Sequence, residues 1–295
     1  MIKIPKSVEW INIHAAASVA ADSGLSETAE HPDYPVNQIY GSEEPTTICE
    51  RMLDTIKGII FDFDGTLYDH SNIAFRMISA NPIATIRIWK ERLVRSRFQG
   101  RDFLSPENFY RAFFIELGKA CLRPPGRVRN WYFNHYMPRM IRILKKYYQP
   151  RHGVKELLQK LGSSESPIKT AVYSDYPLLK ERIEALGLEP SDNIKLYGPD
   201  FFGAQKPAAR PFLQIAKSFG LHPEEILVIG DREDTDGLGA YNAGMRFFCL
   251  ETGLRRYYRL DPYRRKQSGE MQGPTLLMYA GAWDGLIKLL FRRIS

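Results

Sequence analysis

The stretch Lys57-Gly-Ile-Ile-Phe-Asp-Phe-Asp-Gly-Thr-Leu-Tyr-Asp69 decides how the rest of the chain is read. Ile59, Ile60, Phe61 and Phe63 make a short apolar run, the composition of a strand covered on both faces, as in a parallel sheet. Two carboxylates, Asp62 and Asp64, stand at its carboxyl end, and a Gly65-Thr66 turn follows at once. Residues i and i+2 on extended backbone point to one face. Two like charges so placed are costly unless something offsets them, and a divalent cation is the usual offset. Alone, the fragment could be no more than a strand ending in an Asp-Gly turn, so the rest of the chain has to decide.

On the carboxyl side, strands and helices alternate. Helices are predicted over 154–161, 177–186, 207–219 and 235–243, with Gly187 and Gly220 as stops and Pro207 as a start. Strands are predicted over 169–174, 193–197, 225–230 and 246–250. Such alternation gives βαβ units and a parallel sheet, with ligands bound beyond the carboxyl ends of the strands. The expected fold class is α/β, a three-layer Rossmann-like parallel sheet core.

Between the first strand and these units lies an insert, residues 70–149, in which no strand is evident. Ile83, Ile86, Trp89, Leu93 and Val94 recur at helical spacing. Ser105-Pro106 starts a second helix with Phe109, Phe113, Phe114 and Leu117 on its apolar face, ended by Gly118 or Gly126. A third helix runs through Trp131, Tyr136, Met140 and Leu144. The expected division is a lead over 1–51, a core from 52–69 and 150–295, and a small helical domain over 70–149.

The net charge of +7 is unevenly spread. Residues 70–149 hold 16 Lys/Arg against 4 Asp/Glu, leaving −5 for the rest. A basic middle suggests an anionic substrate or partner; a solvated basic surface gives the same composition. Cys49, Cys121 and Cys249 are odd in number and far apart, which argues for a reducing, cytoplasmic setting and against a disulfide framework or a thiolate zinc site. No apolar run is long enough to span a bilayer. Residues 10–21 are Ala-rich behind two lysines, but Glu9, Asn12 and His14 break the pattern of a secretory signal. Residues 22–50 have the composition of a disordered lead, and Met52 stands where a start could lie. The Tyr/Arg-rich 255–273 reads as a solvated loop before a last helix near Trp283; nucleic acid is the weaker alternative.

Three further polar features fall at predicted strand ends. Ser174-Asp175 offers a hydroxyl and a backbone N–H to a phosphoryl oxygen, or caps the next helix. Lys206 precedes a helix start, an anion-binding pole. Asp231 follows an apolar strand and Asp236 lies five residues on, with Glu233 and Asp234 between them. So many acids at one tip call for a cation, although an acidic helix start would also be favoured by the dipole.

In this order, Asp62-Phe-Asp64-Gly-Thr, Ser174, Lys206 and Gly-Asp231-x-x-x-x-Asp236 resemble the four motifs of the haloacid dehalogenase superfamily, across residues 56–250. The insert resembles that superfamily's helical cap of the first type. The resemblance implies that Asp62 is a nucleophile forming an aspartyl-phosphate and Asp64 a proton shuttle whose carboxyl pKa a dry site raises. Mg²⁺ is implied between Asp62, Asp64 (by its backbone carbonyl), Asp231 and Asp236. Gly65, Thr66, Ser174, Asp175 and Lys206 are implied to hold the phosphoryl group. The superfamily's dehalogenases lack the second acid, so Asp64 implies a phosphatase or phosphotransferase. The expected partner is a small phosphorylated metabolite, with no membrane. The alternatives are a phosphomutase of the same fold, or a binding protein whose basic cap docks nucleic acid or an acidic partner.

Overall fold

In the computed structural model, residues 8–12, 53–79, 85–250, 276–281 and 283–294 are described. Seven strands form one sheet: β1 (Val8–Asn12), β2 (Gly58–Asp62), β3 (Lys169–Tyr173), β4 (Ile194–Tyr197), β5 (Ile226–Gly230), β6 (Arg246–Leu250) and β7 (Leu276–Gly281). Their order is β1-β7-β6-β5-β2-β3-β4, and every neighbouring pair is parallel. The apolar runs explain the central position of β2 and β5. All five residues of each are buried, so neither can lie at a wet edge.

Successive side chains of β2 part to opposite faces. Ile59 and Phe61 join one core and Ile60 the other, as the period of two requires. The Ile60 side is closed by Phe212, Ile215 and Phe219 of the helix Ala209–Phe219. The Phe61 side is closed by the helices Val154–Leu161, Leu179–Ala185 and Trp283–Ile294. This apolar core runs without a break through Phe63, Leu67 and Tyr68 into the insert.

The insert is helical: α1 (Ile73–Ser79), α2 (Thr85–Phe98), α3 (Pro106–Cys121), α4 (Pro125–Trp131) and α5 (Met137–Tyr147), with one π turn, Tyr132–Tyr136, joining the last two. Ser105 caps α3, its Oγ accepting from the Asn108 N–H at 3.2 Å. Two expectations need correction. Neither Gly118 nor Gly126 ends α3; Leu122 does, in the left-handed region at φ 52°. Gly118 is small because a Cβ there would meet the Arg123 carbonyl oxygen at 2.8 Å. On α2, Ile86 and Trp89 are exposed, and the buried face is Ile88, Glu91, Val94, Arg95 and Phe98. The apolar stripe misplaced this face because an ion pair, Glu91 with Arg95, lies inside it.

The sheet also extends beyond its expected strands. β7 falls between the expected loop over 255–273 and the last helix, in a stretch to which no element is assigned from sequence. β1 falls inside the lead expected to stay outside the folded unit; five residues with one neighbour give too short a pattern to stand out. The other lead residues with Met52 and Cys49, and the Tyr/Arg-rich 255–273, lie outside the described residues. Cys121 is a free thiol. Among the described residues no helix is long and apolar enough to cross a membrane.

Candidate active site

The carboxyl ends of three adjacent strands, β3, β2 and β5, bring Ser174, Asp62 and Asp231 side by side. Asp62 is the last residue of β2, in register with Tyr173. Its two oxygens have different partners. Oδ1 accepts from Lys206 Nζ at 2.6 Å, and Oδ2 accepts from Thr66 Oγ1 at 3.0 Å. Thr66, expected to hold phosphate, here orients the nucleophile candidate. Gly65 has φ 94°, where a side chain is strained, and a Cβ on it would collide with the Asp231 carboxylate. The Gly65 and Thr66 carbonyls accept from Arg151, at 2.8 and 3.0 Å, which holds the turn from the far end of the insert.

Asp236 belongs to a π turn, Glu233–Gly237, that folds back on Gly230. A Cβ at Gly230 would stand 2.6 Å from the Asp236 side chain, so β5 has to end in glycine for this carboxylate to reach the site. The acids of this segment then separate. Asp231 and Asp236 are buried, whereas Asp234 faces outward onto Arg232. Lys206 Nζ bridges Asp62 and Asp236, the second at 2.7 Å. Burial pushes the Asp62 carboxyl up; Lys206 opposes this, and Asp236 and Asp64 add to it. Asp236 is likewise pushed up by burial against Lys206, with Asp231 adding to it. Lys206, stripped of water but flanked by Asp236 and Asp62, is held well above its ordinary value.

Carboxylate oxygens of Asp62, Asp231 and Asp236 lie within 4.8 Å of one another. Three carboxylates face one ammonium there, all in hard oxygen donors, on a turn that leaves the Asp231 carboxylate room only because residue 65 has no Cβ. This donor set fits a hard divalent cation. His70 adds a ring nitrogen 3.9 Å from Asp231.

Asp64 is not in that set. Its side chain turns to Arg182, whose Nη2 donates to both carboxylate oxygens. Tyr68 OH donates to Oδ1 at 2.6 Å and Ser174 Oγ to Oδ2 at 3.2 Å. Burial favours the neutral acid, but the Arg182 charge and these hydrogen bonds outweigh it and hold the Asp64 carboxyl below its usual range. The expectation of a raised pKa at Asp64 therefore fails; the raised carboxyls of the site are Asp62, Asp236 and Asp175, each pushed up by burial. Ser174 is tied in as well, accepting from Arg182 Nη1 at 2.9 Å. Asp175 Oδ1 accepts from the Lys206 N–H at 2.9 Å, joining the second and third motifs.

Arg182, Arg151 and Arg95 are the residues that sequence reasoning missed. A signal existed for the first. Leu179, Ile183 and Leu186 mark the buried stripe of its helix, and position 182 falls within it.

With this geometry in view, the comparisons agree. A family profile described as haloacid dehalogenase-like hydrolase matches residues 56–244. The chain belongs to that family. A glyceraldehyde 3-phosphate phosphatase of Pyrococcus furiosus is 27% identical over 225 residues, 70% of this chain and 84% of that protein. A phosphoglycolate phosphatase of Shigella dysenteriae is 25% identical over 226 residues, 70% of this chain and 83% of that protein. The crystal structure of a 2-haloacid dehalogenase from Pseudomonas syringae superposes with a TM-score of 0.50 at 19% identity, covering 80% of this chain and 99% of that one, which bears on the fold alone.

Proposed function

We propose that the chain is an Mg²⁺-dependent phosphatase that hydrolyses a small phosphorylated metabolite through an aspartyl-phosphate on Asp62. The hydrolase class follows from the family, and the sequence relatives are named as phosphatases. The observation that carries the reading is the pairing of Asp62 with Lys206 beside the three-carboxylate cluster. A nucleophilic carboxylate must approach an anionic phosphate, and both need compensation. Mg²⁺ held by Asp62, Asp231 and Asp236 would supply charge neutralisation at the phosphoryl oxygens.

The chain's own residues account for the rest. Asp62 attacks phosphorus, with Thr66 fixing one of its oxygens. Lys206, already between Asp62 and Asp236, is placed to counter charge on the transferring group. Asp64, ionised and held by Arg182, suits the hydrolytic half-reaction, in which a carboxylate accepts a proton from water. For the first half-reaction, protonation of the leaving oxygen, it must give up part of that hold. Gly65, Ser174 and the Asp175 amide line the same strand tips and are assigned to the phosphoryl group.

The test is hydrolysis of a panel of phosphorylated metabolites with Mg²⁺, after EDTA, and after Mg²⁺ is restored. Turnover is expected to stop and return. Asp62→Asn is expected to lower kcat on the order of 10⁴-fold or more, as loss of a nucleophile does. Acid-quenched wild-type protein should carry one added phosphoryl group by mass spectrometry, mapped to Asp62. Retained turnover in Asp62→Asn would refute the assignment.

A further inference from the structure

The cap holds a second concentration of charge that the carboxylate site does not use. A cavity of about 690 Å³ opens between the first turns of α2, the end of α3, and α4. Arg87, Lys90, Arg123, Arg127 and His135 line it, with Trp131 in its wall. Its size is that of pockets for small ligands. None of the described lining residues is acidic.

Every acid of the insert is committed elsewhere. Glu91 holds Arg95 inside the cap, Asp102 holds Arg210 of the core, and Glu116 pairs with Lys119. Glu107 sits in the first turn of α3, some 14 residues and so about 20 Å along the helix from the cavity end. Among the described ion pairs, none includes Arg87, Lys90, Arg123 or Arg127. Among the described contacts, the Arg87 guanidinium lies over the Trp131 ring, 5.5 Å from the centroid. Behind it, Arg139 has a buried Nη1 with no hydrogen-bond partner. Burial, then Arg142 and Arg87, push the Arg139 guanidinium down, which marks how densely positive this end of the cap is. Cations gathered around a concave space repel one another, and that arrangement is relieved by an anion. Three of the four are arginines, whose planar forks match phosphoryl oxygens.

We propose that this cavity binds a small polyanion bearing phosphoryl groups, with two or more negative charges, at a site separate from the carboxylate centre. The separation is set by α2. Arg87 faces the cavity, while Arg95, eight residues and about 12 Å further along, donates to the Asp175 carbonyl at the strand tips. The anion favoured is small because the charges converge on one concave space.

The test uses the full chain, with inorganic pyrophosphate as probe, by isothermal titration calorimetry in EDTA. Without a cation the three carboxylates repel an anion, so saturable heat reports the cap. One site is expected, and Asp62→Asn should bind equally well, which separates this inference from the phosphatase reading. Arg123 and Arg127 are exposed, so R123Q/R127Q folds. It should weaken binding at least tenfold. K155Q/K217Q, the same charge change at exposed sites on the core, should stay within twofold. Absence of saturable heat overturns the proposal. So does equal weakening in both double variants, or an oligonucleotide that needs Arg123 and Arg127 where pyrophosphate does not.

Discussion

Arg182 and Arg95 each bury a guanidinium against one carboxylate, the first at the strand tips of the core and the second inside the cap. Their surroundings differ. The Arg95 partner, Glu91, is 0% exposed and closed in by Tyr136, whose hydroxyl donates to it at 2.9 Å, while Tyr132 accepts from Arg95 at 2.7 Å. The Arg182 partner, Asp64, keeps a quarter of its side chain (25%) open to the site. Both arginines also reach the second motif: Arg95 the Asp175 carbonyl, Arg182 the Ser174 hydroxyl. The same pairing thus serves two ends. A pair buried within one helix fixes how that helix packs, here against Tyr132, Tyr136 and the Asp175 carbonyl. A pair with one face open fixes the direction of a carboxylate that still meets substrate and water.

The largest effect should come from breaking the sealed pair. Arg95→Met leaves Glu91 buried without its cation, a change that costs about 3–5 kcal/mol. Urea denaturation followed by far-UV circular dichroism measures it. Glu91→Leu/Arg95→Met, which removes both charges, should recover most of the loss. A cost below about 1 kcal/mol for Arg95→Met would show that the cap interior is not sealed and that the contrast with Arg182 is false.

Breaking the open pair should act on turnover instead. In Arg182→Met, Asp64 loses the donor that engages both of its oxygens. Although Asp64 then protonates more easily, its direction is no longer fixed, so the kcat for an alkyl phosphate, which needs a protonated leaving oxygen, should fall about 10²-fold, the lower range for one acid–base group. An aryl phosphate with a good leaving group should lose less. Arg182→Lys, which keeps the charge but not the fork, should restore part of the difference. Equal loss on both esters would make Arg182 a structural residue like Arg95.

The same contrast explains what the sequence revealed. Strands β2, β3, β5 and β6 were legible because they are buried on both faces and read as unbroken apolar runs. Asp62, Lys206, Asp231 and Asp236 were legible because each follows such a strand or precedes a helix. The structure gathers the three carboxylates into one cluster and pairs Lys206 with Asp62 and Asp236. The arginines were not legible. Position 95 reads as one more cation in a basic insert, and only the tertiary contact with Glu91 and Tyr132 shows that it lies inside. Asp64 was read from its motif, but the sign of its pKa shift depends on Arg182, 118 residues away. Charge on a helix face is ambiguous until the opposite face is known. The mistaken phase of α2 has that origin.

A third arginine, Arg210, holds Asp102 in the open, and it should give the smallest effect. Nε and Nη2 donate to the two carboxylate oxygens at 2.5 and 2.6 Å, and Nη2 also reaches the Phe202 carbonyl at 2.5 Å, so the pair latches the cap loop to the core. The Arg210 hydrogen bonds, against burial and with help from the Leu104 N–H, hold the Asp102 carboxyl below its usual value. A depressed folded pKa means that the latch stabilises fully above the unfolded value, near 4, and that this contribution is lost as pH falls through the folded value. Because both side chains meet water, the contribution should be on the order of 0.5 kcal/mol. Thermal melts of wild type and Asp102→Asn should therefore differ slightly at pH 7 and converge below pH 4. The gap should also shrink in high salt, whereas the loss in Arg95→Met should not. A salt-insensitive gap at Asp102 would place this pair with the sealed one, and exposure would no longer be what separates the three arginines.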